Sequence, residues 1–213
     1  MNQASKDNQG LLLVISGPSG AGKGTICKEL MKNGDFWLSV SATTRFPRKG
    51  EVDGQNYYFL SKENFIDRIG EKDFLEYAEV YGNYYGTPKS NVLEKLKDGK
   101  DVILEIDIQG ALKVKENYPK GIFIFILPPS MEELKNRIIK RGSETEESLM
   151  TRFKSAYKEI NYVSKYNYAV INDEVEKAVE KIKSIIIAEK CSVDRIEQNI
   201  FSEEGLIHEQ LYD

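Results

Sequence analysis

Residues 11–25 read LLLVISGPSGAGKGT, and no other stretch of the chain restricts its fold so strongly. The continuous apolar run LLLVIS suits a strand buried on both faces, as in a parallel sheet covered by helices. The glycines at 17, 20, 22 and 24 let the backbone turn tightly, so that successive N–H groups converge on phosphate oxygens at a helix N-terminus. Lys23 then reaches the terminal phosphates. Ile26, Cys27, Leu30 and Met31 recur at helical spacing, which predicts a helix leaving the loop. One group is displaced. The usual pattern ends Gly-Lys-Ser or Gly-Lys-Thr, with the hydroxyl on magnesium, whereas here Gly24 holds that place and Thr25 comes one later. The cradle is backbone, so the loop still reads as a triphosphate site. Magnesium usually keeps several waters and tolerates losing a direct ligand, and Thr25 remains available on the first helical turn.

The rest of the chain repeats the alternation. DVILEIDI (101–108), GIFIFIL (121–127) and the shorter YAVIN (168–172) are further buried-strand candidates. Between them, SMEELKNRIIKRG opens with Ser130 and Glu133 and closes at Gly142, and DEVEKAVEKIKSIIIAEK opens with Asp173 and Glu176; each opening has capping-box spacing. Val175, Val179, Ile182 and Ile186 fall on one face of the second. Strand and helix in alternation predict an α/β class core, a parallel sheet flanked by helices. Residues 35–90, rich in Tyr, Phe, Thr and Gly, read as an inserted β-rich subdomain, and 138–165 as a helical lid. That leaves 1–34, 91–137 and 166–190 for the core and 191–213 for a tail without a motif.

Composition limits the partners. Over 213 residues the net charge is −4, so no global basic field draws the chain to nucleic acid or anionic lipid, and any bound anion needs a local cluster. Cys27 and Cys191 lie far apart without metal-like spacing, consistent with a reducing compartment. The opening MNQASKDNQG lacks a signal-peptide core, and GIFIFILPP is too short to span a bilayer. These features predict a cytoplasmic protein.

A local anion site is present in SVSATTRFPRKGEVDGQNYYF (39–59). Arg45 and Arg48 flank Pro47, and two planar guanidiniums together grip a phosphate. Tyr57, Tyr58, Tyr84, Tyr85 and Thr87 add hydroxyl donors and stacking faces. SGPSGAGKGT, TTRFPRKGEVDGQNYYF, FLEYAEVYGNYYGT, ILEIDIQGA, ILPPS and RGSETEES, in this order over residues 11–190, resemble the guanylate kinase family. The resemblance implies a P-loop kinase fold with a core, a β-rich GMP-binding domain and a lid. It implies transfer of the γ-phosphoryl of ATP to GMP, giving ADP and GDP, with Mg2+ as cofactor. ATP and GMP are then the partners, without nucleic acid or membrane; a homo-oligomer stays open.

The same resemblance assigns residues. Gly17, Pro18, Ser19, Gly20, Ala21, Gly22, Lys23, Gly24 and Thr25 would hold the ATP phosphates, with Asn172 near the adenine. Glu76 and Asp107 would read the guanine N1–H and amine, with Ser41 and Thr87 as the hydroxyls of that pocket. Arg45, Arg48, Tyr57 and Tyr85 would hold the GMP phosphate, and Glu51 would orient the arginines through an ion pair. Lys23, Arg137, Arg141 and Arg152 would neutralise the transferring group. Thr25 and Glu105 are candidates for magnesium contact through water. Glu105 stands where the family pattern often has Asp, one methylene shorter. Adenine lacks the N1–H and the amine and would leave the acidic acceptors unpaired, which supports strong selection against AMP.

Two rivals fit part of this. A guanylate kinase-like phosphopeptide-binding module would keep the acceptor side but not an intact loop with Lys23. A P-loop kinase for another acceptor, such as a ribose bisphosphate, leaves Glu76, Asp107, Ser41 and Thr87 unused. Cys27 and Trp37 read as packing residues, and His208, the sole histidine, lies far from every motif.

Overall fold

The fold was analysed in a computed structural model that describes residues 9–32, 36–80, 82–140 and 146–195, without the side chains of residue 140 and residues 146–152. LLVIS forms strand β1 (Leu12–Ser16) at the centre of a five-stranded parallel sheet. Its neighbours are β7 (Asp101–Glu105) and β8 (Ile122–Leu127), with β2 (Phe36–Leu38) outside β7 and β9 (Tyr168–Ile171) outside β8. Successive β1 side chains point to opposite faces, and the two faces make two cores. Leu13 and Ile15 pack with α1 (Lys23–Lys32) and α7 (Val175–Lys190). Leu12 and Val14 pack with α3 (Lys89–Lys97) and α4 (Ile108–Asn117). Every strand of this sheet therefore ends near the same edge, where ligands of open α/β sheets bind.

The second sheet has four strands, in the order β4 (Tyr58–Phe59), β3 (Ala42–Thr43), β6 (Asn83–Pro88) and β5 (Phe74–Val80). Its own small core forms where α2 (Lys62–Gly70) lays Phe65 against Phe74 and Tyr84, with ring centroids 4.4 and 5.4 Å apart. Ser61 starts that helix by accepting from the Asn64 N–H. Strand β5 is fastened to core helix α4: Lys113 donates to the Tyr77 carbonyl at 2.6 Å and Asn117 to the Leu75 carbonyl at 2.7 Å. The small sheet is thus fixed to the core by α4 and by α3, into which β6 runs directly and whose Ser90 N–H donates to Asp73 at 2.9 Å.

Several local readings change. Phe36–Leu38 pairs with β7 in the core sheet although it lies inside the 35–90 segment, and that segment also contains α2. Trp37 packs against the α3/α4 core. Cys27 is buried as expected, but Met31 is exposed on the outer side of α1. The Ser130 half of the first capping box forms, its Oγ accepting from the Glu133 N–H at 3.0 Å at the head of α5 (Met131–Lys140). The Glu133 carboxylate turns instead to Arg137 at 2.8 Å. The second box does not form: α7 is capped at Glu174 without a side-chain bond. Gly142 lies outside the described residues. Part of the expected lid appears as α6 (Glu146–Ile160), followed by a 3₁₀ turn at Asn161–Lys165.

Candidate active site

The phosphate loop joins the end of β1 to α1. Gly17 adopts φ 143°, and a Cβ there would lie 2.4 Å from the Ile126 carbonyl oxygen of β8, so only glycine lets the loop leave the sheet this closely. The turn closes through Ala21 N–H to Pro18 O at 3.2 Å and Thr25 N–H to Gly22 O at 3.1 Å. Lys23 Nζ donates to the Gly17 and Pro18 carbonyls at 2.5 and 3.1 Å, so its ammonium lies across the loop mouth. The cavity above has a volume of about 220 Å³, and Ser19, Gly22, Lys23, Gly24 and Glu105 line it. Thr25 is exposed and does not line it.

Asn172 lies beneath the loop rather than at its rim. It is 3% exposed, and its Nδ2 donates to the Ala21 carbonyl at 2.7 Å. Its backbone N–H donates to Leu127 O at 2.8 Å, and its carbonyl accepts from Arg137 Nη2 at 3.2 Å. Gly22, at φ 93°, passes so close that a Cβ would lie 2.3 Å from Asn172 Nδ2 and 3.9 Å from Arg137 Nη1. One buried asparagine, through its side chain and its backbone, therefore ties the loop, the end of β8 and the Arg137 guanidinium together. Arg141 lies outside the described residues, as does the side chain of Arg152.

A second cavity of about 290 Å³ opens beside the four-stranded sheet, with Ser41, Tyr57, Glu76 and Tyr85 among its walls. The Thr87 hydroxyl, 1% exposed, donates to Glu76 Oε1 at 2.7 Å. Burial raises the Glu76 carboxyl above the usual range, with Asp107 adding in the same direction and the Thr87 bond opposing. Gly110 makes room for this carboxylate: a Cβ there would lie 3.2 Å from Glu76 Oε2. Asp107 caps α4, its Oδ1 accepting from the Gly110 N–H at 2.7 Å. Asp107 and Glu105 line both cavities, so the two chambers meet at the carboxyl end of β7.

The basic loop is organised by Glu51. Arg45 meets it in a two-pronged pair, Nη2–Oε1 at 2.9 Å and Nη1–Oε2 at 3.0 Å. The Arg48 backbone N–H donates to the same carboxylate at 2.7 Å. These bonds hold the Glu51 carboxyl below its ordinary range. The Arg45 guanidinium also lies 5.5 Å from the centre of the Tyr57 ring, and that ring meets Tyr85 edge-on at 6.1 Å. Burial raises the Tyr57 phenol, as does Tyr85 beside it, so it stays a neutral donor. The Arg48 side chain is exposed on the loop. One lining residue had no signal in the sequence: Glu159 of α6 adds a carboxylate to the phosphate cavity.

A phosphate loop and a second, carboxylate-floored chamber meeting on one edge of a parallel sheet define a P-loop nucleoside monophosphate kinase. A profile of the guanylate kinase family matches residues 9–189, and the chain belongs to that family. It is 78% identical to a guanylate kinase of Clostridium tetani over 96% of this chain and 99% of the relative. It is 73% identical to one of Clostridium perfringens over the full length of both. Among solved structures, a guanylate kinase from Anaplasma phagocytophilum superposes with a TM-score of 0.70 at 33% identity, covering 92% of this chain and 98% of that one.

Proposed function

We propose that the chamber above the phosphate loop takes ATP, that the chamber over Glu76 takes GMP, and that the γ-phosphoryl group crosses where they meet. The meeting of the two cavities at Glu105 and Asp107 carries this reading. Phosphoryl transfer asks for in-line positioning and charge neutralisation rather than covalent catalysis. Lys23 and Arg137 would neutralise the triphosphate. Arg45, held by Glu51, and Arg48 would grip the GMP phosphate together with Tyr57 and Tyr85. The Glu76 carboxylate, backed by Thr87, would accept from guanine N1–H and the amine, with Ser41 and Asp107 completing the pocket. The 35–90 segment would carry GMP, and the 138–165 segment, with Arg141 and Arg152, would close over the phosphates and exclude water.

Magnesium, which such transfers generally use, would neutralise charge on the phosphate oxygens when bound with ATP. The Glu105 carboxylate at the cavity edge suits a hard cation and would face its water shell, whereas Thr25 does not line the cavity. Among the described residues no three acidic, histidine or cysteine side chains converge, so the cation would take most of its ligands from nucleotide and water. Among the described residues no helix is long and apolar enough to cross a membrane.

The test is ADP formation with ATP and magnesium, offering GMP, dGMP, AMP, CMP and UMP separately. Turnover with GMP, weaker with dGMP and absent with the others, is expected. Protein that binds GMP without any turnover would favour a phosphopeptide-type binding module instead. A second expectation divides the labour between the chambers. Lys23→Ala should abolish turnover while GMP binding by calorimetry stays within about threefold of the parent; equal losses of rate and GMP affinity would contradict it.

A further inference from the structure

The loop departs from the usual phosphate-loop pattern at Gly24, the strand beside it carries a glutamate at 105, and a side chain on the first would meet the second. Gly17, Gly20 and Gly22 occupy left-handed backbone at φ 143°, 89° and 93°, which asks for glycine. Gly24 does not. It is the second residue of α1, in ordinary helical backbone that any side chain adopts, and glycine is a poor helix former there. What a side chain there would meet first is a single neighbour. A Cβ on Gly24 would lie 3.2 Å from Glu105 Oε1, 3.6 Å from Oε2 and 3.8 Å from Cδ, so its three nearest atoms all belong to one carboxyl group. That carboxyl faces the phosphate cavity, and Gly24 lines it beside Lys23. The head of α1 also favours an anion there, since its first N–H groups lack partners within the helix.

We infer that Gly24 and Glu105 are one reciprocal unit, in which Glu105 supplies from β7 both the volume and the oxygen donor that a hydroxyl side chain at 24 would supply from the loop. The extra methylene of glutamate over aspartate carries the carboxyl across to α1, and the missing side chain at 24 leaves it the space. Each residue is then tolerated because of the other. A serine at 24 crowds the glutamate, and an aspartate at 105 withdraws the carboxyl and leaves the loop with neither oxygen. The inference rests on the reading of this cavity as the ATP site.

The experiment is a cycle of full-length parent, Gly24→Ser, Glu105→Asp and the double variant. ATP affinity is measured by calorimetry with magnesium and again in EDTA; the ratio is the gain that magnesium confers. Each single variant should lose about tenfold of that gain, and the double variant should return to within about threefold of the parent, a coupling of the size found between contacting residues. Losses that simply multiply in the double variant would overturn the inference. Gly24→Ala in the Glu105→Asp background puts a Cβ where serine would put one but adds no oxygen, so its gain should stay low; recovery equal to that with serine would overturn the donor half of the claim. A melting temperature unchanged across the set excludes misfolding as the cause. Failure of the parent to bind ATP would instead strike at the assignment of the cavity.

Discussion

Asn172 makes a sharp test at the residue scale because its chemistry has one orientation. With Nδ2 on the Ala21 carbonyl, Oδ1 is buried with no hydrogen-bond partner among the described residues. Asn172→Asp has the same shape but sets an oxygen against that carbonyl. We expect a stability loss of about 1–3 kcal/mol, the usual cost of a buried polar group left unmatched, together with a raised KM for ATP and an unchanged KM for GMP. Urea denaturation and steady-state kinetics would check both; equal effects on the two substrates would show that Asn172 does not act through the loop. Glu76 makes the complementary case. Its raised carboxyl means that the folded chain holds this proton more tightly than the unfolded chain does. The stability it contributes is full below the ordinary carboxylate range and is lost as pH rises through the raised value. GMP affinity should run the other way, falling as pH drops through that value, because the guanine donors need the ionised form. Glu76→Gln should therefore keep or raise the melting temperature at neutral pH, flatten both pH dependences, and lower the preference for GMP over AMP by about 10- to 100-fold, the worth of a hydrogen bond to a charged group.

At the scale of elements, the small sheet depends on α2 and α4. Phe65→Ala removes the ring that Phe74 and Tyr84 stack upon and should cost about 3–5 kcal/mol. Separate titrations should show GMP binding weakened and ATP binding intact; equal weakening would mean that the two sheets unfold as one. The elements also show what the sequence made legible. Strands β1, β7, β8 and β9 could be read because burial on both faces leaves an unbroken apolar run. Three-residue β2 and two-residue β3 are too short to show a period, and their pairing is fixed by partners far along the chain. The Asp173 box misled because aspartate bonds equally well to the turn just before a helix as to the helix itself. Lys23, Glu76, Tyr57 and Tyr85, which line the two cavities, could be named beforehand because the motifs around them resemble those of the family. The position of Asn172 under the loop and the presence of Glu159 in the cavity were not legible, because both depend on tertiary packing and neither sits in a spaced motif.

The whole molecule has a net charge of −4, so the phosphate sites proposed above depend on local groups, one set at the loop that ends β1 and one beside the four-stranded sheet. Two thiols report on that arrangement in different ways. Cys191 is exposed just past α7, whereas Cys27 is buried one turn into the helix that leaves the phosphate loop. Burial raises the Cys27 thiol far above its ordinary value, and the nearby Glu105 charge adds to this, so it is kept as the unreactive thiol. A maleimide dye should thus attach once per folded chain, at Cys191, without mutagenesis. The second equivalent would then react only as fast as the loop helix comes away from the sheet. Its rate, followed with and without ATP, becomes a clock for the opening of the loop, and nucleotide should slow it. A dye that reached both cysteines at one rate would mean that α1 is not held against β1 as the packing requires.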